Sequence, residues 1–391
     1  MVRKIVRSYL IFNVLFNLAF SFHFATFVLF LRRNDMSITQ IGFINFAFMI
    51  AVFLFEIPTG VVADRFGRKV SVVLGTFVAS LGFLFYFLSN GFWQFILSES
   101  TIALGSSLIS GALDAWIKDS LDLNGYKKDI GVIFSWGDIA IKGASLAGGV
   151  VGGIIAVGNI RLPWLMSSIG LVICGIVALK IIREDYFTDK KTSMMDICRQ
   201  SVRYGYKNKQ IWTLILIGSL LMFFFQPLNM QWSILFDQAY GIGVLWLVWT
   251  GIRVFEMVGI FIAGKLMNRG FDRARIMSFS IILTGAAIVL ASIVPYAGLT
   301  LFAFWIHESG RGFFAPTQKA YLHDNIPSDK RATIGSFNSM IAKLGAAAGW
   351  LGGGLLAEVI GIKPCWLLAG ILLFVVLPLV GKLKNKSNRA I

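Results

Sequence analysis

The stretch that decides the fold is GVVADRFGRK, Gly60–Lys69. It lies between two apolar runs, FINFAFMIAVFLF before it and VSVVLGTFVASLGFLFYFL after it. Within six residues it carries one carboxylate, Asp64, and three cations, Arg65, Arg68 and Lys69. Charged side chains are costly inside the hydrocarbon of a bilayer, so a stretch of this kind is expected in a turn at the membrane surface. The pattern therefore predicts two membrane-spanning segments joined by a charged turn.

The composition extends this interpretation to the whole chain. Of its 391 residues, 57% are hydrophobic and only 14% are charged, and the mean hydropathy is +0.75. This excludes an ordinary soluble domain, and the alternation typical of a membrane β-barrel is absent. A bilayer core about 30 Å thick requires roughly 20 helical residues per crossing. We therefore predict an all-α integral membrane protein with 12 transmembrane helices, at about 8–31, 38–63, 70–89, 92–118, 130–157, 162–182, 210–236, 241–265, 275–295, 298–322, 332–360 and 364–382.

The distribution of positive charge predicts the topology. The net charge is +16, and most of the 36 Lys and Arg fall in turns that are cytoplasmic if the N-terminus is inside. The external turns hold four, at Arg32, Arg33, Arg161 and Lys363. This positive-inside bias places both termini in the cytoplasm, and we expect a multi-pass protein of a cytoplasmic (inner) membrane. Nucleic-acid binding is not needed to explain the charge. The first segment is too long for a secretory signal, so we expect it to be retained.

The chain divides into two similar halves. The longest polar stretch, 183–209, separates an N-terminal six-helix bundle, 1–182, from a C-terminal one, 210–391. This cytoplasmic linker is either a short helix on the membrane surface or an ordinary connection. Three pairs of stretches recur at offsets of 201 to 205 residues: GVVADRFGRK with GKLMNRGFDR, DAWIKDSL with KAYLHDNI, and a Lys-and-Gly pattern at 142–153 with one at 343–354. Duplicated helical halves with a central site are typical of secondary transporters.

With its spacing and its position in the second turn, the charged stretch resembles the signature loop of the major facilitator superfamily. The resemblance covers the whole chain and implies two six-helix pseudo-symmetric bundles. It also implies that the loop is a latch, closed on the cytoplasmic side when the protein faces outward. The alternative is that its charges only mark the inner side of the membrane. In the latch we expect Arg68 to pair with a carboxylate at the inner end of the fourth helix, and the predicted members are Gly60, Asp64, Arg65, Gly67, Arg68, Lys69 and Asp119.

Two further stretches resemble exporters of this family. GGVVGG at 148–153 resembles an antiporter motif, although Gly149 stands where that motif has proline. These glycines also fit generic close packing between helices. The stretch 308–340 resembles a large group of prokaryotic efflux proteins. The first resemblance favours export over import, and the second is a hint about the substrate.

Polar residues inside the predicted helices are candidate site residues, because they are expensive in the membrane. In this family the first, fourth, seventh and tenth helices line the central cavity. The polar residues of these helices, with one arginine of the eighth, are the candidates for binding substrate: Asn13, Asn17, Ser21, Glu99, Ser110, Gln226, Asn229, Arg253 and Arg311.

Four carboxylates are candidates for carrying a coupling proton: Glu256, Glu308, Asp114 and Glu56. Arg253 with Glu256, and Glu308 with Arg311, are each three residues apart and can pair within their own helices. These pairs are either a proton carrier with its partner or a structural salt-bridge cluster. Glu56 precedes Pro58, which we expect to break its helix near the inner end.

The sequence therefore predicts a secondary transporter and not an enzyme, and we expect a monomer. Proton-coupled efflux of an amphiphilic small molecule is the first hypothesis. Proton-coupled uptake of a polar metabolite or siderophore-like compound is the second, and a lipid-translocating or non-transporting receptor protein is the third. No nucleotide-binding loop, metal site or cofactor motif is present in the sequence, and the three cysteines have no paired spacing.

Overall fold

The computed structural model describes residues 1–127, 130–184, 208–326 and 331–383. These form fourteen α-helices and two short 3-10 helices, Ile242–Val244 and Phe374–Val376. The α-helices are α1 Val2–Phe20, α2 Phe27–Arg33, α3 Ile38–Phe66, α4 Arg68–Leu88, α5 Phe92–Leu123, α6 Gly131–Gly158, α7 Leu162–Ile181, α8 Lys209–Tyr240, α9 Leu245–Asn268, α10 Arg273–Ile293, α11 Ala297–Asn325, α12 Arg331–Ile360, α13 Ile362–Leu373 and α14 Leu377–Gly381.

These helices confirm the predicted fold class. Ten of those in the described part of the chain are long and apolar enough to cross a membrane. The first predicted segment is a pair of helices, α1 and α2, separated by a turn at 21–26. The tenth is α11, which is less apolar because it carries charged side chains. The last segment is likewise interrupted, between α13 and α14.

Contacts between Cα atoms group the described residues into two compact units. The first contains 1–36, 47–184 and 240–250, and the second contains 37–46, 208–239 and 251–383. Each unit therefore holds one set of helices together with the start of a helix from the other set. Most of the predicted linker, 183–209, lies outside the described residues, so the boundary at this stretch stays a prediction.

Glycines of α6 shape the first unit. A side chain at Gly148 or Gly152 would collide with the carbonyl oxygens of Leu18 and Phe22, on the first crossing. Gly149 and Gly153 face instead the tryptophans Trp249 and Trp246 of α9. The GGVVGG stretch thus lets α6 approach two different helices, one on each of its faces, which agrees with the close packing expected of small residues in membranes.

The second unit repeats this arrangement. Gly349 and Gly353 of α12 lie against Phe223 and Pro227 of α8. Pro227 therefore lies where α8 meets the α12 glycines, as the turn at 21–26 lies where the first crossing meets the α6 glycines. Pro227 lies 201 residues after Thr26, the last residue of that turn, so the two features occupy equivalent positions of the repeat, as is typical of duplicated transporter halves.

The expectation that Pro58 breaks its helix was wrong. The helix α3 continues through Pro58 to Phe66. Proline is tolerated inside membrane helices because neighbouring groups satisfy the freed carbonyl. The hydroxyl of Thr59 donates to the carbonyl of Phe55 at 2.7 Å and so supports this turn of the helix.

Candidate functional site

The charged turn between α3 and α4 is held by a buried ion pair. Gly67 has φ +96°, a left-handed conformation that glycine adopts easily, and it allows α4 to begin directly after α3 ends. Arg68 Nη2 then lies 2.7 Å from Asp119 Oδ2 at the inner end of α5. The two side chains are only 10% and 9% exposed. The structure therefore brings together the two residues that the sequence predicted to pair, and their role as a latch stays a prediction.

A third residue, Glu184, completes this turn. It follows α7, and its two carboxylate oxygens accept hydrogen bonds from the backbone N–H groups of Arg68 and Lys69, at 2.8 and 2.7 Å. It therefore caps the N-terminus of α4, where free N–H groups and the helix dipole favour a negative charge. Sequence reasoning missed Glu184. The signal was a helix start whose N-cap is glycine, with no side-chain acceptor of its own.

The other predicted members of the turn are less constrained. Asp64 is exposed and makes no hydrogen bond or ion pair with the described residues. The Arg65 guanidinium lies 5.5 Å from the ring centre of its neighbour Phe66. Gly60 has open space beside it in this conformation. The positive φ of the turn is at Gly67.

The second unit contains the counterpart of this ion pair. Arg273, at the start of α10, pairs with Asp324, near the end of α11. Both are 205 residues after Arg68 and Asp119. Arg273 Nη1 also donates to the carbonyl of Ala320 at 2.7 Å. The N-terminus of α10 is capped locally, because Asp272 accepts from the backbone N–H of Ala274 at 2.9 Å.

A polar cluster lies between α8 and α11. Arg311 Nη1 donates to Glu308 Oε1 and to Asn229 Oδ1, both at 2.9 Å. Asn229 Nδ2 in turn donates to Gln226 Oε1 at 3.0 Å. The Arg311 guanidinium lies over the ring of Phe225, 4.8 Å from its centre. The arginine therefore holds a carboxylate, an amide and an aromatic face together, which is a combination able to recognise polar and aromatic groups.

The second predicted pair lies on α9. Arg253 Nη1 and Glu256 Oε2 are 2.8 Å apart, with side chains 26% and 21% exposed. Both are within electrostatic range of Glu308, which is only 5% exposed. His307 is buried beside it, with Nε2 3.4 Å from Glu308 Oε1. The structure thus collects both predicted pairs on neighbouring faces of α9 and α11, with Glu308 as the most buried carboxylate.

The predicted residues of α1 serve its own packing. Asn13 and Asn17 donate to the carbonyls one turn earlier, of Tyr9 and Asn13, at 3.0 and 2.8 Å. Ser21 reaches Ser145 of α6 at 3.1 Å. Such bonds satisfy polar side chains without a ligand, so in this conformation these three residues join α1 to itself and to α6.

The predicted residues of α3 and α5 are dispersed. Ser110 and Asp114 are exposed and Glu56 is half-buried. Glu99 is buried and bonded to Tyr86.

A cavity of about 290 Å³ opens at the inner end of α11, against α12. Its polar wall consists of Gln318, Lys319, His323 and Asn338, and its apolar wall includes Leu322. Lys319 and Asn338 were not among the predicted site residues. The second unit therefore offers a polar recess on the side where the predicted topology places the cytoplasm.

Comparison with known proteins identifies the architecture. The family model of the Major Facilitator Superfamily matches residues 9–255 and 250–389. Multidrug resistance protein 2 of Bacillus subtilis (strain 168) is 24% identical over 373 residues, which are 92% of this chain and 90% of that protein. Macrolide efflux protein A of Streptococcus pyogenes is 24% identical over 187 residues, 46% of each chain.

Solved structures agree on the fold. The nucleoside transporter NupG has a TM-score of 0.80 at 16% identity, covering 98% of this chain and all of that one. A bacterial homologue of the iron transporter ferroportin, solved in an inward-facing state, has a TM-score of 0.78 at 16% identity, with 98% of this chain covered and all of that one. The predicted family resemblance is thereby confirmed.

Proposed function

The chain belongs to the Major Facilitator Superfamily, and we propose that it exports an amphiphilic small molecule from the cytoplasm in exchange for protons. It is a multi-pass membrane transporter and not an enzyme. In this proposal it acts as a monomer in the cytoplasmic membrane, with both termini inside. The two units alternate between conformations that open the site to one side of the membrane at a time.

The observation that carries this proposal is the similarity to a multidrug resistance protein over 92% of this chain and 90% of that protein. The partial match to a macrolide efflux protein supports the same direction of transport. The cluster around Arg311 fits an amphiphilic substrate, because it presents a charged group, amides and the face of Phe225 at one place.

In this mechanism Glu308 is the proton carrier and Glu256 is the second candidate. When Glu308 is ionised, Arg311 is held by it at 2.9 Å. Protonation removes the negative charge, which weakens this ion pair and leaves Arg311 to Asn229 and to a substrate. Protonation of Glu308 and substrate binding at Arg311 are therefore coupled through the same arginine-centred network, and such coupling is what proton-driven transport requires.

A second candidate function is proton-coupled uptake of a polar metabolite. The chain of hydrogen bonds from Arg311 through Asn229 to Gln226 favours this function, because paired amides recognise polar groups better than apolar groups. The likeness to a nucleoside transporter is consistent with a polar substrate but shows the fold alone.

Purified protein in liposomes tests both functions. With an imposed pH gradient, a panel of lipophilic cations, macrolides and nucleosides is measured for accumulation in either direction. We expect amphiphilic compounds to move against the proton gradient. Accumulation of nucleosides along the proton gradient, with no movement of amphiphiles, would replace export by uptake.

The proton carrier is identified with variants that are assayed on whichever compound of the panel is transported. Glu308→Gln, and separately Glu256→Gln, should abolish gradient-driven accumulation while substrate exchange without a gradient persists. Replacement of an exposed carboxylate of α12 that makes no contact with Arg311, Glu358→Gln, is the control and should transport normally. If both cluster variants still concentrate the compound, these carboxylates are structural, and Asp114 and Glu56 are tested next.

A further inference from the structure

A buried carboxyl group lies in the first unit. Glu99 is on α5, two turns after that helix begins, and it is 6% exposed. Its Oε1 accepts a hydrogen bond from the hydroxyl of Tyr86 at 2.8 Å. Within the described chain this is its single hydrogen bond, and no ion pair accompanies it. The proposed transport mechanism gives this carboxyl group no role.

The walls around Glu99 are aromatic. The Tyr86 ring lies 4.0 Å from that of Trp164 at an interplanar angle of 11°, and 5.4 Å from Phe95. Tyr86, Trp164 and Phe95 are each completely buried. An ionised carboxylate in such surroundings loses its hydration and gains one neutral donor in return, which does not offset the cost of burying the charge.

The same aromatic stack reaches the break in the first crossing. His23 lies in the turn at 21–26 between α1 and α2, and its ring stacks on Trp164, 4.6 Å away at 26°. Thr26 Oγ1 and Trp164 Nε1 are buried and have no hydrogen-bond partner among the described residues. Buried polar atoms of this kind are rare in stable packing and indicate a place where the structure rearranges or admits water.

The ionisable groups on the surrounding helices do not neutralise Glu99. The guanidinium of Arg161, just before α7, forms its hydrogen bonds in the predicted external turns, including one to Asn34 Oδ1 at 2.6 Å. The ring of Phe30 lies between this arginine and Tyr86, 5.5 Å from the guanidinium and 6.3 Å from the tyrosine ring. His23 lies in the turn between α1 and α2, and its ring is separated from Glu99 by the rings of Trp164 and Tyr86.

We propose that Glu99 is a second protonation site: it holds a proton while the Tyr86–Trp164–His23 stack is closed, and releases it when the turn at 21–26 moves. The proton leaves the carboxyl oxygen for water that enters as the stack opens, so the charge forms only where it can be hydrated. The turn at 21–26 is the element that controls this, because its histidine packs directly on the stack. A part in transport rests on the proposed proton coupling, whereas the protonation itself does not.

Infrared difference spectroscopy on the full-length protein in liposomes, without substrate, tests the protonation. Protonated carboxylic acids have a C=O stretching band that ionised ones lack. In a pH titration we expect such a band, and we expect Glu99→Gln to remove it. Glu358→Gln, at an exposed carboxylate, should leave it unchanged. In Tyr86→Phe the band should remain and move to higher frequency, because the carbonyl oxygen loses its hydrogen bond.

Two outcomes would overturn the proposal. One is a titration in which wild type and Glu99→Gln have the same carboxyl bands. The other is a Glu99 band whose frequency is the same in Tyr86→Phe as in wild type. That result would mean that the protonated carboxyl group is not the one that Tyr86 contacts. Because no substrate is involved, failure of this experiment leaves the export proposal intact. Conversely, if no compound of the transport panel is transported, the infrared titration still tests the protonation of Glu99.

Discussion

The two cytoplasmic turns of the repeat, 60–69 and 264–273, contain the same ion pair but are held differently. In the first, Arg68 and Asp119 are nearly buried, and the helix that follows is capped by Glu184 from the end of α7. In the second, Arg273 and Asp324 are 26% and 49% exposed, and the cap is the local Asp272. The shared pair orients each turn within its own unit. The distant cap makes the first turn sensitive to the residues that begin the central connection.

A second difference concerns the acidic position of the motif. Asp64 in the first turn corresponds to Asn268 in the second, 204 residues later. Both side chains are exposed. One turn therefore carries a free negative charge that the other lacks, and this asymmetry is what a latch acting in one conformation requires.

The largest expected effect concerns the side of the membrane on which each of the two turns lies. If the two turns are equivalent, single cysteines at 65 and 269 should react with an impermeant maleimide only from the cytoplasmic side, and a cysteine at 358 only from outside. The labelling is measured in intact cells and in inverted vesicles, with Cys198 replaced by serine and the buried Cys174 and Cys365 left in place. Opposite sides for 65 and 269 would contradict the duplicated topology itself.

The next effect concerns the ion pairs. Arg68→Ala leaves Asp119 buried without its cation, so we expect a loss of about 3–5 kcal/mol in stability. Arg273→Ala removes an exposed pair and should cost about 0–1 kcal/mol. Thermal unfolding in detergent compares the two. The double change Arg68→Asp with Asp119→Arg should recover part of the loss. Equal losses in the two turns would mean that burial does not distinguish them.

The fold could be predicted from the sequence because the bilayer imposes lengths and charge positions that can be read directly. The pairing of Arg68 with Asp119 could be predicted because the motif and the inner end of α5 restrict each residue to one place. Glu184 could not, since its contact depends on how α7 ends relative to α4, which no local pattern encodes. The break at 21–26 was also missed: its residues include neither proline nor glycine, so no local signal marks the interruption of the helix.

The caps are expected to have a smaller effect. In Glu184→Gln one of the two acceptors becomes an NH₂ group facing a backbone N–H, so we expect a loss of about 1.5–3 kcal/mol. Asp272→Asn should cost almost nothing, because asparagine caps a helix about as well as aspartate. Hydrogen exchange of the backbone amides at 68–71 and at 273–276 reports each cap separately. Faster exchange in the second turn alone would reverse the comparison.

The smallest expected effect tests the acidic position. Asp64 has no partner to lose among the described residues, so Asp64→Asn should leave thermal stability unchanged. If the Asp64 carboxylate closes a latch in the outward-facing state, it interacts there with a helix N-terminus or a cation, with an energy of about 1 kcal/mol. Losing that energy changes the ratio of two conformations by about fivefold. Distances between spin labels on the cytoplasmic ends of the two halves measure this ratio.

We expect Asp64→Asn to increase the population with the longer cytoplasmic distance and to slow transport. The matched control is Asn268→Ser, which alters the equivalent position without changing its charge, and it should leave the distances as in wild type. An unchanged distribution in Asp64→Asn would mean that the acidic position marks only the inner side of the membrane. The two turns would then differ in packing alone, because the buried ion pair and the Glu184 cap do not depend on Asp64.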